Sequence, residues 1–254
     1  MQLKIHSQFS NAKSILNGYI ANFDSTGRLF GDGKRNTIKL FELDSRTINI
    51  KSFKVPNIIN QFAYKFLRKS KARRSYEFAN TLLEYQLGTP QPIAYAEDFS
   101  FFGLGKSYYV SEHLHTELTF RELVENPDYA DHDNILRQFV FFCFQLHEKG
   151  VEFLDHSPGN TLIKKMAYGQ YAFFLVDLNR MNFHNKMSFE MRMKNLSRLT
   201  PKKEMIAVMS NEYSKLYPNQ SEAAIFKKMW HETYHFQIRF HQKIKMKQRL
   251  KFWK

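Results

Sequence analysis

The sequence predicts an α+β protein with two lobes, a small antiparallel-sheet N-lobe followed by a helical C-lobe. Strand patterns dominate the first half, helical periodicity dominates from about residue 134, and no internal repeat or low-complexity linker separates them. Runs of strands followed by runs of helices are typical of this class. We place the N-lobe at residues 1–112 and the C-lobe at residues 113–254.

The N-lobe contains four predicted strands and one predicted helix. Apolar and polar residues alternate in each strand, and the first two strands flank the turn sequence Asp-Ser-Arg-Thr of a β-hairpin. The helix covers residues 70–88, because Phe78, Leu82 and Tyr85 share one face and Gly88 ends it. The strands are residues 36–43, 48–53, 92–99 and 106–114.

The C-lobe begins with a long predicted helix. Ile135, Phe139, Phe142 and Leu146 recur at helical spacing in residues 134–150. Two short strands follow, and the chain from Ser188 onward is predicted to be mostly helical. The short strands are residues 160–165 and 171–178.

Composition and charge restrict the setting of the protein. With 254 residues and 43% hydrophobic content, the chain can bury a core without cross-links. The single cysteine, Cys143, lies in an apolar stretch that predicts a buried thiol, which fits a reducing compartment. We find no secretory signal and no apolar run long enough to span a membrane, so we expect a cytoplasmic location.

The net charge of +14 is concentrated in two segments. Residues 64–75 carry six basic side chains, and the chain from Arg239 onward carries seven Lys or Arg and no acidic residue. Such segments attract anions, although a solvated surface is the simpler interpretation of each. Charge alone does not distinguish nucleotide, anionic lipid, phosphorylated glycan or nucleic acid.

Residues 146–163 carry the pattern that indicates chemistry. Asp155 is followed five residues later by Asn160, on a loop between a predicted helix and a short strand. Phosphoryl transfer needs one carboxylate to orient an acceptor hydroxyl and one amide oxygen to hold magnesium. Asp177, at the end of the next strand, supplies a further oxygen ligand of the kind that Mg²⁺ prefers. Taken singly, Asp155 and Asn160 could instead be turn or cap residues.

The sequence Leu-His-x-x-Gly-Val, followed by Asp155 and Asn160, resembles the catalytic loop of the protein-kinase-like superfamily. The resemblance implies that Asp155 acts on the acceptor hydroxyl and that Asn160 and Asp177 hold Mg²⁺ of Mg-ATP. Phe153 replaces the usual histidine two residues before the aspartate, and Asp-Leu-Asn stands at 177–179 in place of Asp-Phe-Gly. Both departures make a protein substrate less favoured.

The same resemblance implies a lysine that binds the ATP phosphates and a glutamate that positions it. Lys51, on the second strand of the hairpin, is the first choice, and Lys54 is the alternative. Glu77, on the following helix, is the expected partner of this lysine, with Glu84 as a second candidate. Glu77 could instead form a surface ion pair with a neighbouring arginine, at position 73 or 74.

A glycine-containing segment, residues 25–36, comes before the second predicted strand. Gly27, Gly31 and Gly33 do not match a glycine-rich nucleotide loop, but their position implies that Gly31 and Gly33 approach the phosphates. An ordinary hairpin turn is the alternative. The backbone around Glu112 and His113 is the expected hinge that contacts adenine.

At a finer level the chain resembles the lipopolysaccharide kinase family of the Kdo/WaaP type, in the form common among Bacteroidetes. The resemblance extends over about residues 30–199, including FLDHSPGNTLI and VDLNRMNF. It implies ATP-dependent phosphorylation of a sugar hydroxyl of the lipid A inner core at the cytosolic face of the inner membrane. The basic segment 239–254 would contact that anionic surface, unless it forms a helix packed on the lobe.

Two alternatives remain from the sequence. The first is another small-molecule kinase of the same fold, although a basic chain suits an anionic acceptor better than a cationic aminoglycoside. The second is a catalytically silent kinase-like binding module that recruits partners through its basic segments. Nucleic acid is the less favoured partner, because no recognised reading motif accompanies the charge.

Overall fold

The computed structural model describes residues 1–32, 36–57, 60, 61, 63, 64, 68–101 and 103–251. For residues 250 and 251 it describes the backbone and not the side chains. The chain divides into two compact units. The N-terminal unit contains Met1–His115 and Asp177–Arg180, and the C-terminal unit contains Thr116–Val176 and Met181–Lys254. The lobe boundary between residues 112 and 113 stays a prediction.

A six-stranded antiparallel sheet forms the N-terminal unit, in the order β1-β5-β6-β4-β3-β2. The predicted hairpin is β3–β4, with Leu43 opposite Arg46, so its turn contains two residues. Asp44 adopts the left-handed conformation that such a turn requires. The strands are β1 Gln2–Ile5, β2 Arg28–Phe30, β3 Thr37–Leu43, β4 Arg46–Phe53, β5 Pro92–Ser100 and β6 Gly103–Glu112.

The two faces of this sheet carry different helices, α1 (Lys13–Ala21) and α2 (Lys71–Glu84). Ile48 and Ile50 of β4 are fully buried in the core cluster that α1 completes. Because side chains alternate along a strand, Lys51 points to the opposite face. There it lies opposite Tyr109, which in turn lies opposite Tyr95. The Tyr76 ring of α2 contacts Tyr95, so Lys51 shares the face of the sheet on which α2 packs.

Helices dominate the C-terminal unit, together with small sheets in the orders β10-β9-β7 and β11-β8. The helices are α3 Phe120–Glu125, α4 His132–Glu148, α5 Phe189–Leu196, α6 Lys203–Leu216 and α7 Glu222–Lys251. The strands are β7 Leu118–Thr119, β8 Val151–Phe153, β9 Thr161–Lys165, β10 Tyr171–Leu175 and β11 Met181–Phe183. The predicted α+β class is confirmed.

Helix α4 buries the predicted apolar face. Ile135, Phe139, Phe142 and Leu146 are all buried, and the Cys143 thiol is buried beside them. Burial raises the pKa of this thiol well above its ordinary value, so the thiol is protonated and inert at neutral pH.

The last helix, α7, extends beyond the buried part of its unit. Every residue from Arg239 to Arg249 is exposed, including Phe240 and Met246. Residues 239–249 are therefore helical but are not packed on the lobe, which was the alternative considered from the sequence. Among the residues that the structure describes, no helix is long and apolar enough to cross a membrane.

Gly150 follows α4 in a conformation that excludes a side chain. Its φ is +70°, and a Cβ atom there would lie 1.8 Å from the backbone oxygen of His184. We expect Gly150→Ala to lower the free energy of unfolding by at least about 2 kcal/mol. Gly18 in α1 is the matched control, since a Cβ there would contact nothing within 4 Å. Gly18→Ala should stabilise by up to about 1 kcal/mol in urea denaturation, and equal effects of both changes would contradict this account.

Candidate active site

Lys51 and Asp177 meet in the N-terminal unit, although 126 residues separate them in sequence. The Lys51 Nζ donates to Asp177 Oδ1 at 2.6 Å. The Lys51 side chain is only 14% exposed, whereas that of Asp177 is 39% exposed. The ammonium is thus held by the sheet, and the carboxylate remains open to a ligand.

Asp177 has a left-handed backbone conformation and an ionised side chain. Its φ of 58° lies in the left-handed region, which costs a non-glycine residue free energy and is concentrated at functional sites. Asn179 Nδ2 donates to Asp177 Oδ1 at 2.8 Å. Burial opposes ionisation, but Lys51, Asn179 and the more distant Lys71 together hold the pKa of Asp177 below its ordinary value. The group is a carboxylate at neutral pH.

Glu77 forms ion pairs with other cations of the same region. Its carboxylate accepts from Lys69 Nζ at 2.8 Å and from Arg73 Nε at 2.9 Å. These two pairs hold the pKa of Glu77 below its ordinary value, although burial opposes them. The structure therefore brings Glu77 to Arg73, the alternative noted above, and the pairing of Glu77 with Lys51 stays a prediction. The second candidate, Glu84, is exposed at the end of α2.

The residues expected around the nucleotide base and phosphates are only partly described. Gly31 has a φ of +81° and open space around it, whereas Gly33 lies outside the described residues. The backbone N–H of Glu112 donates to Gln91 O at 3.0 Å, and that of His113 donates to Thr47 O at 2.9 Å. Adenine would therefore have to use other backbone groups of this segment.

Side chains also gather at this expected hinge. The Phe30 ring of β2 lies edge-on to His113 at 5.1 Å, and the His113 and His115 rings are 4.7 Å apart. Burial, with the charges of His115 and Arg28, lowers the pKa of His113. A neutral His113 leaves this end of the sheet without an added positive charge at neutral pH.

The loop from Leu154 to Asn160 carries the second group of candidates, in the C-terminal unit. Asn160 Nδ2 donates to the Asp155 carbonyl at 2.8 Å, which leaves the amide oxygen for another partner. Arg198 Nη1 donates to Leu154 O at 2.6 Å and to Asp155 Oδ1 at 3.1 Å. The loop is thus tied internally, and one carboxylate oxygen is oriented by a guanidinium.

Buried polar groups support this loop from below. His147 is fully buried, with Nδ1 at 2.8 Å from the Tyr213 hydroxyl and Nε2 at 3.3 Å from Asn195 Oδ1. Asn195 Nδ2 in turn donates to Phe153 O at 2.9 Å, two residues before Asp155. His156 is also fully buried, between the rings of Phe139 and Phe153. The contacts of His147 with Tyr213 and Asn195 give it a structural role beneath the loop.

These buried histidines predict acid lability. Burial, assisted by the Arg192 charge, lowers the pKa of His147 to about 3, and burial lowers that of His156 to about 4. Below pH 6.5 both histidines bind protons in the unfolded chain. In the folded chain they stay neutral until the pH approaches their lowered pKa values. The free energy of unfolding should therefore fall from about pH 6.5 to about pH 4, by up to about 1.4 kcal/mol per pH unit for each histidine.

Urea denaturation at a series of pH values measures this slope. His147→Gln should flatten it by the contribution of one proton, because the glutamine can still bond to Tyr213 or Asn195. The exposed His231 is the control, because His231→Gln should leave the pH dependence of the free energy of unfolding as steep as in the parent chain. An equally steep slope in His147→Gln would exclude His147 as a source of the lability.

Two arginines at the loop were not found from the sequence. Arg198 lies 43 residues after Asp155, and no spacing rule connects them. Arg121 of α3 lies against the loop backbone, since a Cβ on Gly159 would lie 2.8 Å from its Nη2. The glycine therefore admits a guanidinium beside the loop. The Ser-Pro-Gly sequence predicts a turn, but it does not predict that Arg121 lies beside it.

The residues present fit Mg-ATP in the chemistry of their donors. Asp177 offers an ionised carboxylate and Asn160 a carbonyl-type oxygen, which are ligands that a hard cation prefers. Lys51 offers an ammonium suited to phosphate oxygens. No described contact of these groups conflicts with such a ligand set, apart from the Lys51–Asp177 pair itself, which phosphate and metal would share.

Comparison with solved structures identifies the fold of the chain. The chain has a kinase-like fold, with an antiparallel sheet in its N-terminal part and helices in its C-terminal part. It is similar to the structure described as WaaP in complex with acyl carrier protein, with a TM-score of 0.61 and 16% sequence identity. The match covers 92% of this chain and 99% of WaaP. No protein-family model matches the sequence, and the search of curated proteins gives no match.

Proposed function

We propose that this chain is an ATP- and Mg²⁺-dependent phosphotransferase that phosphorylates a sugar hydroxyl of lipopolysaccharide in the Kdo and lipid A inner core. The observation that carries the proposal is the contact between Lys51 and Asp177, an ammonium and an ionised carboxylate from distant parts of the sequence. The kinase-like fold supports it. Binding of a nucleoside triphosphate needs a cation for its phosphates and a carboxylate for its metal, and Lys51 and Asp177 are suited to these two roles.

In the proposed reaction, Lys51 binds the α- and β-phosphates of ATP. Asn160 and Asp177 would hold magnesium, which would neutralise charge on the phosphates. Glu77 would position Lys51 after exchanging its present partners, Lys69 and Arg73. Asp155 orients the acceptor hydroxyl and takes up its proton as the oxygen bonds to the γ-phosphorus. The bond from that phosphorus to the bridging oxygen breaks, and ADP leaves. Rate acceleration comes mainly from positioning and charge neutralisation.

The acceptor is assigned by charge and by resemblance. A chain with a net charge of +14 favours an anionic acceptor over a cationic one. The resemblance to the Kdo/WaaP type and the structural similarity to WaaP favour an acidic glycolipid. The Kdo sugar and the Bacteroidetes form belong to this proposal on the strength of the sequence motifs.

The exposed part of α7 supports a location at the cytosolic face of the inner membrane. Residues 239–249 combine exposed basic side chains with the exposed Phe240, Ile244 and Met246. Helices with this mixture bind anionic bilayer surfaces, with apolar side chains inserted and lysines at the headgroups. An acceptor embedded in that bilayer would be met there.

A silent kinase-like binding module is the second candidate. It is favoured by the ion pairs of Glu77 with Lys69 and Arg73, and by the engaged N–H groups of Glu112 and His113. Such a module would bind anionic partners without transferring phosphate. Magnesium-dependent binding of ATP separates it from the enzyme.

Transfer of labelled γ-phosphate from Mg-ATP tests the proposal. The acceptors are purified Kdo-lipid A, its deacylated glycan and a generic protein. We expect label on the glycolipid, less on the deacylated glycan and none on the protein. Binding of ATP without transfer to either glycan would reject the acceptor, and absence of ATP binding would favour the silent module.

A further inference from the structure

A cavity of about 560 Å³ lies on the C-terminal unit, between one face of α4 and the strand β10. Its apolar part is buried and contains Phe142 and Phe173, whose rings stack with their centroids 5.7 Å apart. The other lining side chains of α4 are mostly polar. Those that recur at helical spacing are Asn134, Gln138, Phe141 and Gln145.

This cavity is separate from the candidate active site. Tyr171, which lines it, lies opposite Lys165 at one end of β9, whereas Asn160 precedes the other end. The two ends are four residues apart, or roughly 13 Å along a strand. No residue that lines the cavity has a role in the proposed phosphate transfer.

Two amide side chains of α4 form a fixed wall beside β10. Gln138 Nε2 donates to Asn134 Oδ1 and to Gly169 O, each at 2.9 Å, and Asn134 Nδ2 donates to the same carbonyl at 3.0 Å. Gln138 Oε1 accepts from the backbone N–H of Tyr171 at 2.9 Å. Because β10 is the edge of its sheet, an added peptide strand would need that N–H. The wall therefore opposes a peptide strand as the ligand.

The charged groups around the cavity neutralise one another. Arg137 Nε donates to Asp133 Oδ2 at 2.6 Å, and its Nη1 donates to Glu212 Oε2 at 3.1 Å. Lys215 Nζ donates to the same oxygen of Glu212 at 2.7 Å. Burial opposes ionisation of Glu212, but Lys215 and Arg137 hold its pKa below the ordinary value. Two cations thus balance two carboxylates, on a chain whose net charge is +14.

Other groups of the cavity are open to a ligand. Both cations bond to Glu212 Oε2, so Oε1 can accept from a hydroxyl. Gln145 and Gln170 are exposed, and within the described part of the chain their side-chain amides make no hydrogen bond. Each amide supplies two donors and an acceptor. The Phe141 ring is 48% exposed and offers an apolar face.

We propose that this cavity binds a neutral sugar residue of a glycan. Sugar hydroxyls both donate and accept hydrogen bonds, as the amides require, and the C–H groups of a sugar ring can pack on the Phe141 ring. Aromatic walls with a few polar groups are typical of small-molecule sites. Because Phe141, Gln145 and Gln170 are exposed, a sugar linked to neighbours can enter from solvent. The inference goes beyond the proposed function, since binding here needs neither nucleotide nor phosphate transfer.

An NMR titration without nucleotide tests this site. The probes are the methyl glycosides of glucose, galactose and mannose, added to the full chain labelled with ¹⁵N. The side-chain amide signals of Gln145 and Gln170 are followed, and the loss of each signal in the corresponding Gln→Ala variant assigns it. We expect saturable shifts of both signals with at least one glycoside, at a Kd of about 1–10 mM for so small a neutral ligand.

Two variants of the cavity should weaken this binding. Phe141→Ala and Gln145→Ala should each raise Kd by about twofold to tenfold, the loss expected for an aromatic contact or for a hydrogen bond between neutral groups. Phe101→Ala removes a ring that is 90% exposed outside the cavity, and Gln242→Ala removes an exposed helical amide. Both controls should leave Kd unchanged. Thermal unfolding of each variant shows that the fold is retained.

Further probes test the chemical class of the ligand. The methyl glycoside of glucuronic acid should bind no more tightly than that of glucose, and a capped hexapeptide of alternating valine and threonine should leave the signals unchanged. Tighter binding of the anionic sugar, lost in Arg137→Gln, would assign the cavity to anions. A shift of the Tyr171 backbone amide by the peptide would assign it to strand addition. Either result would overturn the proposal.

Free glucose, galactose and mannose distinguish a glycan residue from a free sugar. Each methyl glycoside should bind at least as tightly as its free sugar, and a preference for the free sugar would overturn the assignment to a glycan. Absence of shifts with all three glycosides, or equal losses in the control variants, would overturn the site itself. Since Mg-ATP takes no part in the titration, these outcomes are independent of whether the chain transfers phosphate.

Discussion

Replacing Asp155 with alanine should lower turnover by about 10²–10⁴-fold while leaving the affinity for Mg-ATP nearly unchanged. A positioned proton acceptor contributes a factor of this size, and in the proposed reaction Asp155 contacts the acceptor hydroxyl and not the nucleotide. The loop should survive the change, because Arg198 keeps its bond to Leu154 O and Asn160 keeps its bond to the backbone carbonyl of residue 155. Rapid-quench transfer assays measure the first quantity, and fluorescence titration with a nucleotide analogue measures the second.

Asp128→Ala provides the matched control in the C-terminal unit, since Asp128 is an exposed aspartate whose backbone N–H bonds to Asn126. It should leave both quantities as in the parent chain. Asp155→Asn preserves the side-chain shape and should be nearly as inactive as the alanine variant. Full turnover by Asp155→Ala would remove this residue from the chemistry, whereas parallel loss of nucleotide binding would assign it to the fold.

Regular elements of the fold could be predicted wherever periodicity is strong. In α4 four large apolar residues recur on one face, and all four are buried. The short edge strand β1 and the helix α1 were not assigned from the sequence. Strand β1 has four residues and gains its pairing from β5, while Gly18 weakens the helical signal of α1. Elements that depend on a distant partner leave little local pattern.

The candidate site shows the same division between local and distant information. The spacing from Asp155 to Asn160 is local, and the two residues are hydrogen-bonded within one loop. Glu77 has a local partner in Arg73, one helical turn away, and this pair forms irrespective of how α2 lies on the sheet. Contacts such as Lys51–Asp177 and Asp155–Arg198 depend on the packing of whole elements. Sequence spacing cannot specify them, which is why Arg198 was missed.

Replacing Asp177 with asparagine should lower the magnesium-dependent affinity for ATP by about 10-fold to 100-fold or more. Losing a supporting group near a metal already costs that much, and Asp177 is the proposed direct ligand. The substitution also removes the negative charge that pairs with Lys51, whose side chain is only 14% exposed. Leaving this charge unpaired should lower the free energy of unfolding, because burial of an isolated charge is costly. Nucleotide titrations with and without Mg²⁺, together with urea denaturation, measure both effects.

A double variant separates the metal role of Asp177 from its ion pair with Lys51. Lys51→Met in the Asp177→Asn background removes the unpaired charge and should recover part of the lost stability, but none of the magnesium dependence. Asp24→Asn is the control, since this exposed carboxylate pairs with Lys106 and should change neither quantity. If Asp177→Asn kept the full magnesium requirement, the metal would have to be held elsewhere. The Lys51–Asp177 contact would then be a structural ion pair, and Asp177 would lose its proposed role as a metal ligand.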